Sequence, residues 1–338
     1  MSQFNAKVKY EIVKRILKSL LVVLVAFCSL MVTPRLWSAL NPEKPPVGYH
    51  FLALDYLAFM VGLEDLINKT PAIPSEIEEL KNIEYKNING KSLQLDLYKS
   101  RDLTKPAPLL VFIVGGGWKS ADRESYLVYL LAFAKKGYVT ATVSYRVLQD
   151  GPYPACVEDI TDAVQWFYKN GEKYGYDPDR IALIGGSAGG YLSMMAAYEW
   201  KNSGTKPDSA SVSPFRHRIK AVVNSYGPSD LTTEFSRTNS TVTDFLAHTY
   251  AEAPDLFLEA SPIHYLDKND PPTMILHGTS DQIVPISQSD ELKAKLDSLG
   301  VPNVYYKVPL WPHTMEVIQR VNVYSEKKMS DFFEQYLK

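Results

Sequence analysis

The chain has 338 residues, 46% of them apolar and 22% charged, with a formal net charge of −2. Such a composition is ordinary for a globular protein, and the length suffices for one large domain or two small ones with a proper core. No basic stripe points to nucleic acid, two cysteines (Cys28 and Cys156) are too few for a disulfide framework, and no cysteine/histidine cluster has zinc spacing, so no metal is expected.

The first 40 residues stand apart from the rest. Lys7, Lys9, Lys14, Arg15 and Lys18 precede an uncharged run, SLLVVLVAFCSLMVTP, from Ser19 to Pro34. Charge followed by apolar sequence is the export pattern. The run is short against the roughly 17–25 apolar residues of a spanning helix, but Tyr10, Ile12, Val13, Ile16 and Leu17 extend it amphipathically. Trp37 spoils a small-x-small cleavage site at Ala39, and Phe27 spoils the lipoprotein box suggested by VAFC. The segment reads as an uncleaved anchor in preference to a cleaved signal peptide, the remaining alternative being an interfacial or buried helix. Its basic flank stays inside, which puts the rest of the chain outside the cytoplasm and allows attachment to the membrane.

NPEKPPVG, from Asn41 to Gly48, reads as a linker. Tyr49 to Ile67 carries apolar residues at helical spacing and is expected to pack on the body as a helix, or to face a membrane. From about Ile83 strands and helices alternate. SLQLDLYKS is a half-buried strand and APLLVFIVGG a continuous apolar one. The helix SYLVYLLAFAKKG, the strand YVTATVSYRV and the helix ACVEDITDAVQWFYKNGEKYG follow, then the turn DPDR. RIALIGG is a strand and YLSMMAAYEW a helix. IKAVVNSYG, PPTMILHG and NVYYKVPL are strands, QSDELKAKLDSLG a helix between the last two, and YSEKKMSDFFEQYLK a closing helix. This alternation predicts an α/β fold with a mostly parallel sheet covered by helices on both faces. Residues 1–40 are the anchor or signal, 41–80 linker and accessory helices, and 81–338 the main domain. Ligands of such sheets bind beyond the carboxyl ends of the strands, so chemistry is sought just after each strand.

There, IALIGGSAGGYLSMMAA (Ile181–Ala197) surrounds Ser187 with glycines. Gly185 and Gly189 make a G-x-S-x-G pattern between a strand and a helix. A sharp turn there brings backbones together, which glycine permits, and thrusts the hydroxyl out at a helix N-terminus. A phosphate-binding loop would want a lysine beside the last glycine, where Tyr191 stands. Serine needs a base, and the base an orienting acid. In this sheet type the chain order is serine, acid, histidine. Among His50, His217, His248, His264, His277 and His313, the last alone follows Asp281, which lies just beyond the strand TMILHG. Ser187, Asp281 and His313 therefore form the expected triad. His277 is expected to be structural, and Asp290 and Asp297 to lie on a solvated helix face.

FIVGGGWKS supplies the second half of the chemistry. Gly116 and Gly117, with Ala188 after the nucleophile, are the expected oxyanion donors. Trp118, Tyr226 and Trp311 flank these loops as candidate substrate-binding residues. VGGGW, VSYR, YGYDPDRIALIGGSAGG, SYGPSDL, ASPIHYL and MILHGTSDQIVP together resemble the α/β-hydrolase superfamily, in particular the esterase group with an H-G-G-G-W oxyanion motif. That group includes hormone-sensitive-lipase-like and acetyl-xylan- or feruloyl-esterase-like enzymes. The resemblance runs from about Ile83 to Lys338. It implies an α/β-hydrolase fold and cofactor-free hydrolysis of small-molecule or carbohydrate esters through an acyl-enzyme. Val114 departs from the pattern, standing where a loop-bracing histidine is usual. Leu231–Ala260 is the expected cap, and its shortness points to short acyl groups such as acetyl. An amide hydrolase (an aryl-formamidase or exopeptidase) and a non-catalytic scaffold are the competing readings.

Overall fold

In the computed structural model, which describes residues 2–50, 52–198 and 218–338, the chain begins with two helices, α1 (Ser2–Leu40) and α2 (Leu52–Met60). Strands β1 (Ile77–Ile88), β2 (Lys91–Ser100) and β3 (Ala107–Ile113) follow, then helix α3 (Leu127–Lys135), β4 (Val139–Val143) and α4 (Ala155–Tyr174). Next come β5 (Tyr176–Gly186), α5 (Ala188–Ala197), β6 (Ile219–Ser225) and three short helices, α6 (Glu234–Thr238), α7 (Ser240–Leu246) and α8 (Pro254–Glu259). The chain closes with β7 (Thr273–Gly278), α9 (Ser287–Leu299), β8 (Asn303–Val308) and α10 (Gln319–Leu337).

All eight strands join one sheet in the order β1-β2-β4-β3-β5-β6-β7-β8. The pairs β1–β2 and β2–β4 are antiparallel and the rest parallel. This is the α/β-hydrolase fold. Helices cover both faces, so β3, β4 and β7 are buried along their whole length. The two-residue period of a strand sends alternate side chains to opposite cores. Leu109, Val111 and Ile113 point to the side of α4, α5 and α9, whereas Leu110 and Phe112 point to the side of α3 and α10.

Three expectations are revised. The turn DPDR falls inside β5 as a bulge: Asp177 pairs with Pro108 and Ile181 with Leu109, so Pro178–Arg180 loop out of the ladder and the Asp179 amide donates back to Asp177 Oδ1 at 2.9 Å. The helical stretch after Tyr49 ends at Met60, and Leu66 forms a bridge with Ile318 instead of a further turn. The first strand starts at Ile77, ahead of the expected boundary at 81. The end of the helix expected to reach Trp200, like His217, lies outside the described residues.

Candidate active site

Strand order sets the position of the site. β3 connects through α3 to β4 on one side, and β4 connects through α4 to β5 on the other. The sheet therefore changes winding direction at β3 and β5, and the loops after those two strands diverge to leave a crevice. Register then aligns the strand ends: Ile113 pairs with Gly185, Gly186 with Ser225, Ser225 with Leu276, and Gly278 with Val308. The loops bearing Gly116, Ser187, Tyr226, Asp281 and His313 thus leave the sheet at one edge.

Ser187 occupies the turn between β5 and α5 at φ 54° and ψ −127°. A non-glycine residue in that region is strained. The strain is held by packing on both sides. A Cβ on Gly185 would collide with the Gly189 backbone, and one on Gly189 with the carbonyl of Ile113. The Ser187 amide donates to Ser225 O at 2.9 Å, which ties the turn to β6. Ala188 is buried as the first residue of α5, where helix amides have no partner within their own helix.

Asp281 is buried, and its Oδ2 lies 2.7 Å from His313 Nδ1. Its Oδ1 accepts the amides of Ile283 and Val284 at 2.8 and 2.9 Å. Burial opposes the charged carboxylate, but hydrogen bonds from His277 and His313 outweigh it and hold Asp281 well below the usual carboxylate range. His277 lies at β7, fully buried, with Nε2 3.2 Å from Asp281 Oδ2 and 3.0 Å from Val284 O. Ser289 Oγ lies 2.7 Å from its Nδ1. This histidine steadies the acid from behind. Asp290 sits on the surface of α9 with Lys307 at 2.8 Å, and Asp297 there pairs with Lys293.

Tyr226 joins the two halves of the site. Its ring lies 4.6 Å from the His313 ring, and its hydroxyl would stand 2.8 Å from a Cβ on Gly186. Tyr226 thus touches the His313 ring on one side and the residue before Ser187 on the other. A serine at a helix N-terminus and an imidazole held by a buried carboxylate, on loops that leave the same sheet edge, are the residue types that nucleophilic acyl transfer uses.

The glycine loop follows β3 with Gly116 at φ 139° and Gly117 at φ 58°. Gly116 O accepts the Lys119 amide at 3.0 Å, closing a tight turn. Val114 is buried, and its carbonyl accepts the Tyr145 hydroxyl at 2.6 Å. The loop is thus braced from the end of β4, by the tyrosine of VSYR, without a histidine at 114. The helices α6, α7 and α8 form the cap region, and Lys119 reaches α7 through Asp244 at 2.8 Å.

The three aromatic candidates for substrate contact are all buried. Trp118 stacks on Phe245 at 4.1 Å between ring centres. Trp311 donates its indole N–H to Pro46 O at 3.0 Å, and the Arg320 guanidinium lies 4.7 Å from its ring. Tyr226 donates its hydroxyl to Glu316 Oε1. Trp311 thus packs toward the linker, Trp118 toward the cap and Tyr226 beneath the site.

Two features were not anticipated. Glu316 sits behind Tyr226 beside a cavity of about 20 Å³ that Tyr126, Tyr129 and Ser325 also line. Its Oε2 is buried without a hydrogen-bond partner, and burial raises its pKa. The second is a strap, residues 46–67, sewn along the His313 loop. Gly48 donates to Pro309 O at 2.8 Å, Ile67 to Val317 O at 2.9 Å, and Gln319 donates to Asp65 O at 2.8 Å. Arg320 grips buried Glu64 through Nε at 2.8 and 2.9 Å and reaches Ser38 Oγ at 2.8 Å. Nothing local in WPHTM signals either feature, since their partners are distant in sequence.

Comparison with known proteins agrees with this architecture. Esterase LipC of Mycobacterium tuberculosis is 30% identical over 236 residues, which cover 66% of this chain and 57% of LipC. The chain spans little more than half the length of the curated relatives it matches first. Among solved structures, a truncated carbohydrate esterase from gut microbiota superposes with a TM-score of 0.66 at 24% identity, covering 78% of this chain and 98% of that one. Thermogutta terrifontis Est2 with propionate bound gives 0.63 at 23% identity, covering 79% and 96%. The BD-FAE family model matches residues 95–296, a span that takes in the glycine loop, Ser187 and Asp281 and stops short of His313. With that span and this fold, the chain belongs to the BD-FAE family.

Proposed function

We propose that the chain is a serine carboxylic-ester hydrolase for short acyl esters, carried on small molecules or carbohydrates, and anchored outside the cytoplasm by α1. The observation that carries the reading is the 2.7 Å contact between buried Asp281 and His313 Nδ1, at the sheet edge where Ser187 is held in a strained turn. His313 Nε2 takes the Ser187 proton as Oγ attacks the ester carbonyl. Asp281 keeps the imidazole in the required tautomer and stabilises its charged form. The amides of Gly116, Gly117 and Ala188 receive the oxyanion, a contribution worth roughly 10²–10³ in turnover per donor. His313 then protonates the leaving alcohol, and water, activated the same way, frees the acyl group. The ester reading draws support from the esterase names of the relatives. Short acyl groups are supported by the small cap and by the propionate recorded in Est2.

The test is hydrolysis of p-nitrophenyl acetate, butyrate and octanoate by the full chain in detergent, beside Ser187→Ala. The expected profile falls with acyl length, and the variant loses about 10⁴–10⁶ in kcat. A folded parent that spares all three esters but cleaves a formanilide would replace the ester reading with an amidase one.

A further inference from the structure

Helix α2 has an apolar face that nothing among the described residues covers. Tyr56, Phe59 and Met60, with Val61 just past its end, are all exposed, Met60 at 79%. The opposite face is occupied: Ala58 is fully buried in a small cluster with Tyr49 and Met31, flanked by Leu54 and Leu57. The one charge of α2, Asp55, is half-buried. A patch of large apolar residues left bare on a charge-poor helix marks an interaction surface.

The contact with Met31 says what lies over that patch. Met31 belongs to α1, whose uncharged run ends at Pro34. Met31 is thus one helical turn short of Arg35, the first charged residue beyond the run. From Tyr10 to Leu30 every residue of α1 is exposed, and Met31 and Pro34 are buried. The body therefore grips the last turns of α1 and leaves the rest to the bilayer. Whatever packs at Met31 sits at the boundary between acyl chains and headgroups. Aromatic and apolar side chains on a short helix are suited to that depth.

We propose that α2 is an interfacial membrane-binding helix that inserts Tyr56, Phe59, Met60 and Val61 into the outer leaflet around α1. The proposal rests on the reading of α1 as an uncleaved anchor. It adds a second, lateral attachment. α2 is part of the strap that clamps the His313 loop, so this docking sets that edge of the sheet beside the bilayer surface. Esters presented at that surface would then reach the site without crossing bulk water.

The two readings separate in one spin-label experiment. The full chain is placed in nanodiscs of phosphatidylcholine and phosphatidylglycerol. A nitroxide is attached to native Cys28, which is exposed on α1, or to Met60→Cys in a Cys28→Ser background; Cys156 is buried and does not compete. Leu258→Cys in the same background, on the cap helix α8, is the aqueous reference. Accessibility to oxygen against a water-soluble nickel chelate is read at each site. The expected result is a ratio several-fold above the reference at both position 28 and position 60. A lipid-like label at 28 with a reference-like label at 60 overturns the interfacial helix and leaves the anchor standing. A label at 60 shielded from both reagents also overturns it, in favour of a protein partner or a second copy. Aqueous labels at both positions overturn the anchor and the helix together.

Discussion

Ser187 and His313 are held by opposite means. The Ser187 turn is built from neighbours in sequence: Gly185 and Gly189 remove the side chains that would stop β5, α5 and the end of β3 from meeting. The His313 loop is built from a distance. Asp281 orients the ring, Tyr226 lies against it, and residues 46–67 fasten the loop on either side. A local device tolerates no change at its own positions. A device assembled from afar spreads the load, so each contact is worth less and can be lost without unfolding the domain.

The hardest break falls on the local side. In Gly189→Ala the new methyl meets the Ile113 carbonyl, which belongs to the central strand and cannot retreat. Overpacking of this kind exceeds the usual range of about 1–3 kcal/mol. Esterase activity should vanish and Tm should drop sharply, measured by p-nitrophenyl acetate turnover and differential scanning fluorimetry.

Asp281→Asn strikes the link to His313. The amide can present the wrong tautomer to the imidazole, and kcat should fall about 10⁴-fold, with a smaller effect on KM. The same residue has a stability signature. Its folded pKa lies below its unfolded value of about 3.9, so its stabilisation is present above that value and lost as pH falls through the folded pKa. The Tm gap between parent and variant should be full at neutral pH and close as the pH drops below about 4.

Arg320→Ala tests the strap. Glu64 would lose its cation, and removing one partner of a buried pair costs about 3–5 kcal/mol where the other charge stays buried. Release of the strap would expose Glu64 and keep the loss toward the lower figure. Activity per folded molecule should fall about tenfold, since a misplaced base weakens positioning. Unchanged turnover at 25 °C, in a variant still folded there, would mean that the His313 loop supports itself.

Glu316→Gln is the gentlest probe. Burial raises the folded pKa of Glu316 above its unfolded value of about 4.3. Its favourable contribution is therefore complete below that value and is lost as pH rises toward the folded pKa, the reverse of Asp281. The variant should gain on the parent in Tm as pH rises above about 4, with kcat changed no more than about threefold because the amide oxygen still accepts from Tyr226. A constant Tm difference across that range would show that Glu316 does not titrate differently on folding.

Most of the fold was legible because hydrophobic period, strand length and turn residues are local properties. The placement of Ser187 in a strand-to-helix turn was legible for the same reason, and that of Asp281 and His313 on loops after strands because each follows a recognisable strand. The burial of Trp118, Tyr226 and Trp311 was not, since a tryptophan beside a motif looks the same whether it faces a substrate or a carbonyl 265 residues away, as Trp311 faces Pro46. The bracing of the glycine loop by Tyr145 could have been suspected from VSYR, but the direction of its hydroxyl depends on how β4 lies against β3.

By itself the sequence determined the parallel sheet, the elbow and the chain order of the candidate triad, because these follow from side-chain size, periodicity and spacing along one segment at a time. Tertiary structure alone decided that the linker is a strap on the His313 loop, that His277 backs Asp281, and that an unpaired carboxylate oxygen sits beneath Tyr226. Each of those depends on which distant groups meet, and pairing between distant groups is set by how the layers pack.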